Sequence, residues 1–526
     1  MTTFRDKTIY AFRGIPYAQP PVEELRFMPP EPVQPWGDDV VLKATSDSLV
    51  CPQTGLTIFM SEDCLKINVF TKSFDTLLPV IVYIHGGANV LGSGHSIYEA
   101  GPQYLLDQDV VFVAFNYRLG ALGFLSTGAA TDFKGNYGFL DQQMALGWVQ
   151  SHISTFGGDS QKVTILGMSA GSMAVSLHLT SPLSEGLFHR AILMSGSATN
   201  HFDIDNIFWT RKLAREVGCP MYDPTDVVGC LRNISWKRIV EVCSTWEPYQ
   251  FINMKWNYEI DGRFLPTYPT DIIASGAFNR VPLLVSFAAN ELDYTVNKHL
   301  ENNHLLHDIN VNFNDYAPEL FLYNYDARKS KVLKRFYLGK DVDEINEQNI
   351  QKFGQIFSDG IIGHGVHRLV DLARQHTNVY YSRMDYVGHR SLSAPKNDKN
   401  EFDGVGHADD LQYVMPGTWY GMLLDKNSSD VFMMERLTKW FACFAKYGRP
   451  TLRRKTWPAC NATSCQLLYN GFETELGELA YTKRYAVWDK LFPKPTKPGK
   501  SVAAVAQSQL AVASLLAILV SLLVLL

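Results

Sequence analysis

Residues 164–174, TILGMSAGSMA, join a β-branched apolar run to a helix-like tail through Gly167-Met168-Ser169-Ala170-Gly171. The pattern is G-x-S-x-G, in which a serine sits on a sharp strand-to-helix turn with its hydroxyl presented and glycines admit neighbouring backbone. Glycine, serine and alanine are common enough for the five letters to recur by chance. A nucleophilic Ser169 therefore needs a base, an acid and an oxyanion hole elsewhere in the chain.

The same rhythm recurs in PVIVYIHGG (79–87), VVFVAFNYR (110–118), KVTILGMSAG (162–171) and VPLLVSF (281–287). Runs with hardly any polar alternation are buried on both faces. They imply an α/β class with a mostly parallel central sheet and helices on both faces. In such a sheet, ligands gather at the carboxyl ends of the strands. No period of 20 to 50 residues repeats, which excludes a solenoid.

The 526 residues are 46% hydrophobic and 12% aromatic, enough for a large core and unlike a disordered or collagenous chain. Residues 1–490 contain no Pro/Ser-rich or charge-run linker and read as one catalytic domain, followed by a linker, 491–505, and a hydrophobic tail, 506–526. A formal charge of −5 offers no basic footprint for nucleic acid.

After the run VIVYI comes His85-Gly86-Gly87-Ala88-Asn89. A strand ending in His-Gly-Gly can offer backbone N–H groups to the oxygen of a tetrahedral intermediate, so Gly87, Ala88 and the N–H of Ala170 are the expected oxyanion hole. Of the fourteen histidines, His407 lies in a glycine-flanked loop, GVGHADDL, ahead of a helix-like stretch from Asp409 to Tyr413. His364 and His367 read as helix positions, and His299, His304 and His307 lie in a polar, Asn-rich surface stretch. His407 is the candidate base. Glu291 follows the buried run VPLLVSFAAN and could hold the imidazole's tautomer; Asp293 competes two residues on, and spacing favours neither.

Taken together, AFRGIPYAQPP, LRFMPPEPVQPW, SEDCLKINVFT, HGGANVLGSG, NYRLGALGFLST, GNYGFLDQQMALGWVQSHISTFGGDSQKVTILGMSAG, ANELD and GVGHADDLQYV make the chain resemble the type-B carboxylesterase and cholinesterase-like family, from about Tyr10 to about Phe492. The resemblance implies an α/β-hydrolase fold, Ser169 as nucleophile, Glu291 rather than Asp293 as acid and His407 as base. It implies disulfides Cys51–Cys64 and Cys219–Cys230, and structural ion pairs Arg26–Glu62 and Arg118–Asp141. Departures from the family pattern are Met168 where a Glu usually precedes the serine, Ala88 as the third residue of the glycine loop, and Leu292 where Gly usually follows the acid. The segment CPQTGLTIFMSEDC has no tryptophan to stack on a quaternary ammonium, which argues against acetylcholine.

Three cysteine pairs (51/64, 219/230, 460/465) bracket short loops, as local disulfides do, whereas Cys243 and Cys443 have no obvious partner. No pair has the C-x-x-C spacing of a zinc or redox site, and neither metal nor cofactor is expected. Asn233, Asn427 and Asn461 head N-glycosylation sequons, which agree with the cysteines on an oxidising, secretory environment. The N-terminus carries no apolar signal region, which suggests that the true start lies upstream. From Leu510 to Leu526 run 17 uncharged residues, read as a GPI signal in preference to a retained membrane span, with the body tethered on the extracellular face.

The expected function is hydrolysis of small-molecule carboxylic esters through an acyl-enzyme. The rival is a membrane-tethered cholinesterase-like adhesion or binding protein, and a stoichiometric ester or organophosphate scavenger lies between the two. Acyl and alcohol specificity and oligomeric state are left open.

Overall fold

A computed structural model describes residues 1–493 except 38, 56–58, 247–253, 297–302, 341, 343, 390, 392–403, 419–422 and 453–455. The hydrophobic tail read at 506–526 and most of the linker at 491–505 lie outside the described residues. Among the described residues, no helix is long and apolar enough to cross a membrane.

The strands are β1 (Tyr10–Pro16), β2 (Lys66–Thr71), β3 (Leu78–Ile84), β4 (Val111–Phe115), β5 (Gly158–Met168), β6 (Arg190–Met194), β7 (Leu283–Ala288), β8 (Val379–Met384), β9 (Leu467–Asn470) and β10 (Thr474–Gly477). They form one sheet in the order β1-β2-β4-β3-β5-β6-β7-β8-β9-β10. Strands β4 to β9 along that order, β3 included, are parallel; β1, β2 and β10 run antiparallel to their neighbours at the two edges. The four apolar runs read from the sequence are β3, β4, β5 and β7.

Strand side chains alternate between faces, and both faces are covered. Val80, Val82 and Ile84 of β3 join one core with Val111 and Ile165, while Ile81 and Tyr83 join a second core with Phe112, Leu166 and Met168. This two-sided burial is why the strands show no polar alternation. The helices Tyr137–His152 and Ala170–Thr180 contribute to the first core, and the helix Val431–Tyr447 closes the second.

Register brings the strand ends level. Ile84 of β3 pairs with Gly167 of β5, and Met168 of β5 pairs with Met194 of β6. The segments that follow β3, β5 and β7 therefore leave from one rim of the sheet. The expected helix from Asp409 to Tyr413 is shorter than read: His407–Asp410 form a turn and only Leu411–Tyr413 is a 3-10 helix. The Asp409 carboxylate accepts the N–H of Gly406 at 2.8 Å, and this side-chain bond holds the chain in a turn.

All three expected disulfides are formed, Cys51–Cys64, Cys219–Cys230 and Cys460–Cys465, and Cys243 and Cys443 are free thiols. The ion pairs are in place as well, Arg26–Glu62 at 2.5 Å and Arg118–Asp141 at 2.7 Å.

Candidate active site

Ser169 stands between β5 and the buried helix Ala170–Thr180, with φ 59° and ψ −125°. A non-glycine residue in this region carries roughly 1–3 kcal/mol of strain. The turn is held by the Ser169 N–H on Met194 O at 2.9 Å and by the Met173 N–H on Ser169 O at 2.9 Å. Gly171 is required by close approach: a Cβ there would lie 2.1 Å from Ile84 O.

His407 reaches the serine from a segment 238 residues downstream, its Nε2 2.8 Å from Ser169 Oγ. Its Nδ1 is 2.6 Å from Glu291 Oε2. A carboxylate can only accept, so the ring proton is assigned to Nδ1 and Nε2 is left to accept from the serine hydroxyl. The other oxygen of Glu291 accepts the Ala288 N–H at 2.8 Å, and Glu291 is 2% exposed. Asp293 points elsewhere. Its Oδ1 accepts from Ser358 Oγ at 2.5 Å and its Oδ2 from Asn290 Nδ2 at 2.9 Å.

The loop after β3 packs on the serine turn, because a Cβ at Gly86 would lie 2.6 Å from Met168 O and 3.1 Å from Ser169 Cβ. Gly87 has φ +100°, and Ala88 and Asn89 follow at +53° and +62°. Among the described residues, nothing accepts a hydrogen bond from the N–H of Gly87, Ala88 or Ala170. The loop is braced from behind by Gln53, whose side chain donates to Gly92 O at 3.1 Å and accepts the Gly92 N–H at 2.9 Å. Gln53 lies between Cys51 and Cys64, so that disulfide loop supports the glycine loop. Nothing in the sequence marked Gln53 out. A cavity of about 30 Å³ behind the loop is lined by Val90, Leu119, Trp246, Trp256 and Lys255.

Burial sets the charges around this centre. Asp410, three residues after His407, is pushed up to about 7 by loss of water and then by the charge of Glu291, with His407 opposing. Burial lowers the His85 imidazole to about 4, so this ring, stacked 4.1 Å from Tyr117, is neutral. His364 lies in the helix His364–Ala373 against Asp489, away from the serine. His304 and His307 are exposed, and His299 lies outside the described residues. Among the described residues, no cluster of His, Cys, Asp and Glu could hold a metal ion.

Residues 1–488 match the model of the carboxylesterase family. The chain is 36% identical to Esterase E4 of Myzus persicae over 479 residues, covering 85% of this chain and 84% of that protein. It is 34% identical to juvenile hormone esterase of Tribolium castaneum over 483 residues (84% and 80%), and 31% identical to acylcarnitine hydrolase of Mus musculus over 512 residues (92% and 87%). Among solved structures, juvenile hormone esterase from Manduca sexta with OTFP covalently attached superposes with a TM-score of 0.79 at 26% identity, over 93% of this chain and 96% of that one.

Proposed function

The chain belongs to the carboxylesterase family, and on that premise we propose that it hydrolyses carboxylic esters through a Ser169–His407–Glu291 triad and an acyl-enzyme intermediate. The observation that carries this reading is the unbroken line Ser169 Oγ–His407–Glu291, at 2.8 Å and 2.6 Å. His407 Nε2 takes the serine proton as Oγ attacks the ester carbonyl, and Glu291 stabilises the imidazolium that forms. The N–H groups of Gly87, Ala88 and Ala170 receive the developing oxyanion, each worth about 10²- to 10³-fold in rate. His407 then returns the proton to the departing alcohol, and water repeats the cycle on the acyl-enzyme. No step draws on a metal or cofactor.

The substrate class is small-molecule carboxylic esters, in keeping with the esters implied by the relatives' names. The disulfides and the exposed sequon residues Asn233, Asn427 and Asn461 support a secreted, glycosylated catalytic domain over residues 1–490. The apolar run 510–526 supports a C-terminal tether, GPI in preference to a span; release from cells by a phosphatidylinositol-specific phospholipase tests it, and retention favours the span.

Burst and steady-state hydrolysis of short-chain and long-chain nitrophenyl esters tests the function. Sustained turnover that is lost in Ser169→Ala supports it. A burst without turnover moves the scavenger reading forward, and neither from folded protein favours the adhesion reading.

A further inference from the structure

The carboxylate that spacing cannot separate from Glu291 has a different task. Ser358 Oγ accepts the Leu292 N–H at 2.7 Å and donates to Asp293 Oδ1 at 2.5 Å. Asp293 Oδ2 is taken by Asn290 Nδ2, so one oxygen is engaged within the loop that carries Glu291 and the other by Ser358. One hydroxyl thus ties the two residues following Glu291 to a segment 66 residues further on. On its other side the loop is tied to the base, since the His407 N–H donates to Glu291 O at 2.7 Å. Glu291, Leu292, Asp293 and Ser358 are all 4% exposed or less, so these bonds are shielded from bulk solvent.

The place of Ser358 is itself built. It opens a π-helical turn, Ser358–Gly363, that interrupts the helical run between Ile350–Phe357 and His364–Ala373. Such a turn re-aims side chains within a helix and is frequent at functional sites. The next residue, Asp359, accepts from Tyr337 Oη at 2.5 Å and from Arg484 at 2.6 Å, and Trp488 Nε1 donates to Tyr337 Oη at 2.8 Å. Ser358 therefore binds the acid loop while Asp359 binds the helix Thr482–Leu491 through Arg484. Beneath the loop, Gly354 leaves room for nothing larger: a Cβ there would lie 2.5 Å from Asp293 O.

We propose that Ser358 is a positioning residue for the triad acid, its hydroxyl clamping Leu292 and Asp293 so that Glu291 Oε2 meets His407 Nδ1. The proposal rests on the reading of Glu291 as the acid. A displacement of about 1 Å at such a site can cost about 10²-fold in rate, and the Ser358 hydroxyl serves a buried donor and a buried acceptor at once.

The test measures kcat and KM for a nitrophenyl ester in the full chain, with a thermal melt of each variant, for Ser358→Ala, Ser358→Thr, Glu291→Ala and the double variant Ser358→Ala/Glu291→Ala. The expected result is a fall in kcat of about 10- to 100-fold for Ser358→Ala with KM nearly unchanged. Ser358→Thr, which keeps the hydroxyl, restores most of it. In the Glu291→Ala background Ser358→Ala costs almost nothing, because residues acting through one group are non-additive. Unchanged kcat in folded Ser358→Ala, or an undiminished loss in the Glu291→Ala background, overturns the proposal. If Ser358→Ala does not fold, Asp293→Asn gives the same reading: a several-fold fall in kcat at constant KM supports the clamp, and full activity overturns it. Wild-type turnover in Glu291→Ala would instead remove the triad reading itself, and the clamp with it.

Discussion

His407 is joined to Glu291 twice, by Nδ1 on the carboxylate at 2.6 Å and by its own N–H on the Glu291 carbonyl at 2.7 Å. The first bond sets the tautomer that the proposed mechanism needs, with Nε2 free to accept, and the second ties the two loops together through the main chain. In Glu291→Gln the main-chain bond survives while the charge is lost and the amide can present a donor to Nδ1, which selects the wrong tautomer. We expect kcat to fall by about 10³- to 10⁴-fold with the fold intact, read by ester turnover and a thermal melt.

Gly87 holds the loop in a backbone conformation that favours glycine. At φ +100°, with a Cβ falling 2.1 Å from Leu91 O, Gly87→Ala must push the loop off the serine turn. The expected loss is about 10²- to 10³-fold in kcat, the effect of withdrawing an oxyanion donor. Ala88→Gly should keep the activity, since the N–H remains and the φ of +53° becomes unstrained. Kinetics on the two variants side by side check the pair of expectations.

His178 makes stability depend on acid. Burial lowers it from 6.5 to about 3 while Ser184 and Gln142 occupy its two nitrogens. A depressed histidine contributes stability that is complete above pH 6.5 and lost as pH falls, because the unfolded chain takes up the proton first. Between pH 6.5 and 5 this residue alone should withdraw about 2 kcal/mol. Denaturant midpoints at the two pH values check it, and His178→Gln should flatten the difference.

Asp410 acts in the opposite sense. Raised from 3.8 to about 7, it keeps a proton that the unfolded chain has already released, so it withdraws stability as pH climbs from about 4 to 7. Asp410→Asn should therefore be more stable than wild type at pH 8, by up to about 4 kcal/mol, with no gain below pH 4. Unfolding curves at both pH values measure it.

Much of this architecture is legible in the chain because burial on both faces leaves a strong signal. β3, β4, β5 and β7 are apolar runs, of which β3 and β5 run into glycines, β7 towards a carboxylate and β4 into Asn116-Tyr117-Arg118, and Ser169, Glu291 and His407 all follow strand ends or sit in a glycine-flanked loop. β6, with the sequence RAILM, is short and composed largely of residues equally at home in a helix. β8 carries Ser382 and Arg383 and so lacks an unbroken apolar run. The choice between Glu291 and Asp293 was closed to spacing, since both follow the same strand. In the fold His407 meets the carboxylate of Glu291 and Ser358 that of Asp293, partners 116 and 65 residues away. Gln53 was illegible for the same reason: its role depends on Gly92, 39 residues on.

On the proposed mechanism, Ser169 is the residue that becomes covalently bonded. The measurement is fluorophosphonate labelling of the folded protein, with the modified peptide identified by mass spectrometry and Ser169→Ala alongside. A single adduct on Ser169, absent from the variant, is the predicted result. An adduct on another residue, or none on well-folded protein, would contradict it.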